Sequence, residues 1–189
     1  MKVVIKEARI AFPKIWEPEK YQGKGTPACS ANFIIDPRTQ KAEVDKVFAA
    51  MWQVAQDRWK DRAADIYKML KAKSDICLRP GDEKADKTGY AGNVFVSARN
   101  KARPIVLDRQ KNPVTQADGV IYAGCYVNVS LDIWAQDNAS GKRINATLLA
   151  IQFMRDGEAF SAGEAYSDDD FSDEGGSTDD PLADNNDFF

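Results

Sequence analysis

The chain has 189 residues, 26 Lys and Arg against 29 Asp and Glu, three Cys and no His, so nucleophilic triads built on His and His-ligated metals are excluded. Cys29, Cys77 and Cys125 match no ligand or disulfide spacing and read as buried, reduced thiols. The opening Met1 to Glu7 breaks its apolar run too early for a secretory signal, and no apolar stretch reaches the ~18 residues of a membrane span, which predicts a cytoplasmic protein.

In chain order, Val3 to Phe12 reads as a strand, Pro13 to Pro27 as a loop and Ala28 to Ile35 as a second strand. Asp36-Pro37 has the chemistry of a helix start, with Asp as N-cap and Pro at the first position. Apolar residues then recur at Val44, Val47, Phe48, Met51, Val54, Ala55, Trp59, Ala63, Ile66, Tyr67 and Leu70, which predicts one long helix over 37–72 with a single buried face. Ser74 to Gly92 is loop-like, broken by Pro80-Gly81, Gly89 and Gly92. Strands resume at Asn93 to Arg99 and Pro104 to Leu107, joined by a basic connection. Two last strands, about Val120 to Ala135 and Arg143 to Met154, flank a polar turn with Gly141 near its end and form a long hairpin. The fold class is mainly β with one long helix, over residues 1–165.

Residues 166–189 differ from everything before them. They hold nine acids, no Lys or Arg, and the terminal pair Phe188-Phe189. Such a segment cannot bury enough apolar surface to offset its ordering entropy, so a disordered acidic tail is expected. With the tail set aside, 20 acids face all 26 bases, and residues 1–165 carry a formal charge of +6. A basic body attracts polyanions, and a tethered acidic tail can compete for the same surface. The tip suits a basic-rimmed pocket on a partner: Phe188 and Phe189 supply an aromatic anchor, and Asp179, Asp180, Asp184 and Asp187 supply charge.

The alternation of the strands carries the chemistry. Val127, Val129, Leu131 and Ile133 point one way, while Tyr126, Asn128, Ser130, Asp132 and Trp134 point the other. The second set places two large aromatics among small hydrogen-bonding side chains, which suits unstacked bases. Val94, Val96 and Ala98 likewise alternate with Phe95, Ser97 and Arg99. In the final strand, Arg143, Asn145 and Thr147 oppose Ile144, Ala146 and Leu148, but Leu149, Ile151 and Phe153 then take the polar parity, so a bulge or coverage by the helix is expected there. Lys24, Arg99, Lys101, Arg103, Arg109, Lys111 and Arg143 are the candidate phosphate contacts. Trp134, Tyr126 and Phe95, followed by Trp16 and Tyr21, are the candidate stacking residues.

Four stretches resemble a phage family of single-stranded DNA-binding proteins that was long of unknown function. They are Ala8 to Pro13 with Glu17-Pro18, Ser30 to Ile35, Tyr126 to Asn138, and Gly141 to Ala146 with Gln152 to Glu158. The resemblance implies an OB-type barrel, a role in phage DNA replication and recombination, and single-stranded DNA as ligand, with no cofactor expected; the acidic tail ending in Phe is similar to those of bacterial and podovirus single-stranded DNA-binding proteins, which implies that it recruits replication partners. An OB fold usually sets its helix between the third and fourth strands, whereas the long helix here follows the second, so a strand is missing from the reading or the barrel is modified. Two other readings remain open. One is an interaction protein or DNA mimic acting through the tail. The other is a nuclease holding metal on Asp132, Asp156 and Glu158, which would have to converge in one cleft. Self-association is left open.

Overall fold

The computed structural model describes residues 1–21 and 24–160; the expected acidic tail lies outside the described residues. Its elements are β1 (Lys2–Tyr21), β2 (Lys24–Ile35), α1 (Lys41–Trp59), α2 (Ala63–Ala72), β3 (Leu78–Pro80), β4 (Val94–Asn100), β5 (Ile105–Leu107), β6 (Tyr126–Asn138) and β7 (Gly141–Arg155). The sheet runs β3-β4-β2-β1-β6-β7-β5, and a β4–β7 pairing closes β1, β2, β4, β7 and β6 into a five-stranded barrel. Ranked by sequence, the barrel strands lie in the order 1-2-3-5-4, with the third and fifth parallel through Arg99 and Thr147. That is OB-type connectivity with the helical segment moved between the second and third strands. Of the two alternatives raised by the sequence, the modified barrel holds: the strand that was missed, β3, follows the helical segment and lies outside the barrel.

The barrel fills because the apolar parity of each strand faces inward. Val127, Val129, Leu131 and Ile133 are fully buried, as are Ile5, Ile10, Ile15, Phe33, Val96 and Leu148. The helical segment adds Val47, Met51, Ala55, Ile66 and Leu70 to the same core. Register in β7 shifts where Ser130 pairs Ala150 but Leu131 pairs Leu148, which leaves Leu149 as the extra residue of a bulge. The bulge turns Ile151 inward and accounts for the change of parity read from the sequence. Cys29, Cys77 and Cys125 are free and buried, and burial pushes the Cys77 thiol up to about 12.

Three expectations need correction. Residues 13–21 and 24–27 of the predicted loop are strand: β1 and β2 continue as a paired arm out to Tyr21 and Lys24. Pro13 and Pro18 looked like breakers, but the arm absorbs them at register shifts between Ala11 and Lys14 and between Lys14 and Glu19. The helix over 37–72 is in fact two. Asp36 accepts a bond from the Arg38 amide at 2.9 Å, which forms a turn, and α1 begins only at Lys41. A break at Lys60, with φ of +50°, and a 3₁₀ turn over Lys60–Arg62 separate α1 from α2. The apolar period survived the break because Ala63, Ile66, Tyr67 and Leu70 return to the same core. Finally, β6 begins at Tyr126 rather than at residue 120, after a turn at Gly124, where a Cβ would meet the Glu158 carbonyl at 2.2 Å.

One polar cluster ties the helix end to the β6–β7 hairpin. The Asp137 carboxylate accepts from Lys142 and, at 2.9 Å, from the Trp59 indole, while Arg58 donates to the Asp137 carbonyl at 3.1 Å. The Lys142 and Trp59 bonds hold the Asp137 carboxyl below the usual carboxylate range. A depressed folded-state pKa contributes stability above the unfolded value, and the contribution is lost as pH falls through the folded one. Urea unfolding should therefore show Asp137→Asn less stable than wild type at neutral pH, with the gap closing below about pH 4. A gap that stays constant to pH 2 would show that the charge on Asp137 contributes nothing. Among the described residues no helix is long and apolar enough to cross a membrane.

Candidate nucleic-acid interface

Residues of outward parity on neighbouring barrel strands form lateral rows. One row joins Lys14 of β1, Ser30 of β2 and Arg99 of β4, and crosses to Thr147 of β7. Thr147 accepts the Trp134 indole N–H at 3.0 Å, so the girdle ends on a Trp that keeps 40% of its surface exposed. Trp134 and Arg99, 35 positions apart in sequence, thus share one band of the barrel wall. At the root of the arm, the Arg103 guanidinium lies 5.2 Å from the ring centre of Trp16, a cation–π contact beside this band. Arg99 donates to the Thr26 carbonyl at 3.1 Å, and exposed Lys101 directly follows β4.

The structure therefore brings together Trp16, Arg99, Lys101, Arg103 and Trp134. Tyr21 and Lys24 pair at the outer end of the arm; their side chains lie outside the described residues. Arg143, on the β6–β7 hairpin, is engaged with Asp75 at 3.3 Å. Arg109 and Lys111 stand apart: their turn is held by Gln152, which donates to the Arg109 carbonyl at 3.2 Å. Gln152 lies roughly 15 Å along β7 from Thr147 at ~3.3 Å per residue.

Two aromatic assignments change. Phe95 has outward parity but is 0% exposed, covered by Tyr90, whose ring meets it edge-on at 5.1 Å. Alternation could not reveal that the 81–93 segment folds back over this part of the face. A polar chain pins the cover: Arg79 donates to Ser97, Ser97 to Asn32, and Asn32 to the Tyr90 hydroxyl, at 3.1, 2.8 and 2.7 Å. Tyr126 sits ~27 Å along β6 from Trp134, and the Arg155 guanidinium already lies 3.4 Å from its ring centre. Arg155 is itself held by Glu7 at 2.9 Å, and Arg9 approaches the same ring at 5.5 Å. These groups line a cleft of about 500 Å³ with Lys6, Asp36 and Gln40.

The sequence reading passed over Phe12 and Lys84. Phe12 keeps half its surface exposed, at φ +49°, inside the register shift of the arm. The Lys84 ammonium lies 5.7, 5.5 and 5.0 Å from the ring centres of Phe12, Tyr90 and Phe95, and burial, followed by the nearby Arg79 charge, pushes its pKa down. In the sequence Phe12 is marked only by its place at the end of the first apolar run, just before Pro13; Lys84 had no such signal.

The three acids considered for metal chemistry do not converge. Asp132, midway along β6, takes the Met1 amino group at 2.7 Å, and lies ~20 Å along the strand from Tyr126, whose partner Arg155 precedes Asp156; Asp156 accepts from the Tyr122 hydroxyl at 2.9 Å. Among the described residues no group of three or more such ligands assembles.

A family model described as Enterobacter phage Enc34, ssDNA-binding protein, matches residues 1–182. Putative protein p50 of Acyrthosiphon pisum secondary endosymbiont phage 1 is 38% identical over 177 residues, 92% of this chain and 94% of that protein. Among solved structures, the single-stranded DNA-binding protein from bacteriophage Enc34 in complex with ssDNA aligns with a TM-score of 0.73 at 25% identity, over 85% of this chain and 89% of that one. The single-stranded DNA binding protein gp2.5 of bacteriophage T7 aligns with a TM-score of 0.53 over 88% of this chain and 98% of that one. At 12% identity, this last likeness is one of fold.

Proposed function

This chain belongs to the Enc34 phage single-stranded DNA-binding protein family, and from that premise we infer that it binds single-stranded DNA with little regard to sequence, without catalysis, during phage DNA replication and recombination. The observation that carries the reading is the band that runs from β1, where Arg103 lies over Trp16, through Ser30 of β2, Arg99 of β4 and Thr147 of β7 to Trp134 of β6. The OB fold presents its second and third strands and their flanking loops to oligonucleotides, and here those strands are β2 and β4. Arg99, Lys101 and Arg103 follow the phosphates and release counterions, with Lys24 and Arg143 at the ends of the groove. Trp16 and Trp134 stack on bases, which tolerates any sequence because every base has a π-face.

Labelled oligonucleotides of increasing length, as single-stranded DNA, RNA and duplex, test the reading. Tight, salt-sensitive binding of single strands with quenched Trp fluorescence is expected. Equal preference for duplex would overturn it.

The acidic segment 166–189 adds regulation and recruitment in this proposal. Its nine acids act as a tethered competitor for the groove, and Phe188-Phe189 anchors a replication partner. Removing 166–189 should raise affinity for single strands, most at low salt, and abolish partner capture. Replacing Phe188 and Phe189 by Ala should lose the partner yet leave DNA affinity near wild type, whereas Asp179, Asp180, Asp184 and Asp187 to Asn should strengthen DNA binding. A truncated chain that binds DNA no better than the full one across low and moderate salt would eliminate the competitive role.

A further inference from the structure

The register shift of the arm turns outward a second aromatic, Phe12, that the band does not use. Phe12 is a bulky residue in the left-handed backbone region, where such side chains are outliers, and conformations of that kind cluster at ligand sites. The strain does not serve burial, because half of the ring faces solvent. Nor is the ring left to swing: Tyr90 backs it at 6.2 Å, and Tyr90 is itself fixed by the Asn32 bond and by Phe95. The protein thus spends conformational strain to hold an open aromatic face in a fixed orientation.

Lys84 completes the arrangement. Its ammonium stands over three rings and makes no salt bridge among the described residues. The nearest acids are otherwise engaged, Glu83 with Ser74 and Arg79 and Asp86 with Lys87. A half-buried cation whose neighbouring acids are already bonded elsewhere gains from an anion brought by a ligand. An aromatic face and a cation in contact match one nucleotide, with the base on Phe12 and the phosphate at Lys84. Two residues farther along β1, Lys14 begins the row that leads through Ser30 to Arg99, so the pair lies on the approach to the band.

Resting on the single-stranded DNA reading above, the geometry points to Phe12 and Lys84 as a further nucleotide subsite, which stacks one base and holds the adjoining phosphate. It extends the bound strand from the band along β1, over the 81–93 cover. Tyr90 and Phe95, buried beneath, then serve as its floor and do not touch DNA.

The test uses the full chain and thymidine oligonucleotides carrying a single abasic position walked along the strand. Wild-type binding is measured first, and its absence overturns the parent reading together with this one. With wild-type binding in hand, Phe12→Gly relieves the backbone strain, so it should melt no lower than wild type and bind about 5- to 100-fold more weakly. Phe12→Trp should retain affinity. At one abasic position, the penalty seen in wild type should vanish in Phe12→Gly, a coupling that a purely structural role would not produce. Lys84→Met keeps the stem over the rings and should lower the salt slope by about 0.7. Unchanged affinity in Phe12→Gly, or an abasic profile identical to wild type, overturns the subsite while leaving the band in place.

Discussion

Replacing Arg99, Lys101 and Arg103 together by Gln is expected to flatten the dependence of log affinity on log salt by about 2, at ~0.7 for each phosphate no longer neutralised in a single-strand complex. Carried from near-molar salt to 50 mM, a slope difference of that size amounts to a loss on the order of 10²-fold at low salt, narrowing as salt rises. The three side chains leave the core untouched. Arg99 gives up one bond to the Thr26 carbonyl, Arg103 its stacking on Trp16, and Lys101 is exposed. Exposed substitutions of this kind usually stay within about 0.5 kcal/mol of neutral for stability. Oligonucleotide titrations across a salt series, with melting curves alongside, supply the answer. A triple variant with the wild-type slope would remove this end of β4 from the path of the phosphates.

The second large effect separates the two parities of β6. Leu131→Ala removes a fully buried side chain from the barrel centre and should cost about 2–5 kcal/mol, because the surrounding strands can close the cavity only in part. For a body of this size that is roughly 5–20 °C in melting temperature. The molecules still folded should bind DNA as wild type does, since Leu131 faces away from the band. Trp134→Ala, three residues on, should do the reverse: it loses a partly exposed ring and one bond to Thr147, with little effect on melting, and weakens DNA binding by about 1–3 kcal/mol. Calorimetry and titration on the same two variants test both halves. Should Trp134→Ala melt far below wild type with unchanged affinity, Trp134 is a structural residue of the hairpin.

The contrast between Leu131 and Trp134 was written in the sequence. Strand geometry repeats every two residues, so a run such as Tyr126 to Trp134 states which side chains are buried before any partner strand is known. The same local rule exposed the β7 bulge at Leu149, since a change of parity within one strand has few physical causes. Composition alone separated the acidic 166–189 segment from the basic body, because net charge needs no coordinates.

Long-range packing decided the rest. Nothing local to Phe95 shows that Tyr90 folds over it, because the cover depends on Asn32 and Ser97 meeting across β2 and β4. Pro13 and Pro18 carry a loop signal in isolation, and only pairing with β2 makes their segment an arm whose bulge turns Phe12 outward. The helix break at Lys60 likewise has no local signal, and beside it the indole of Trp59 reaches Asp137 on the β6–β7 hairpin. Trp16 and Arg103 met only when β2 paired with both β1 and β4, and Arg99 and Trp134 came to share Thr147 only when β4 met β7 and closed the barrel. Periodicity determines which face of each element a residue occupies. Which faces meet depends on contacts between residues far apart in sequence, and only the closed barrel fixed those.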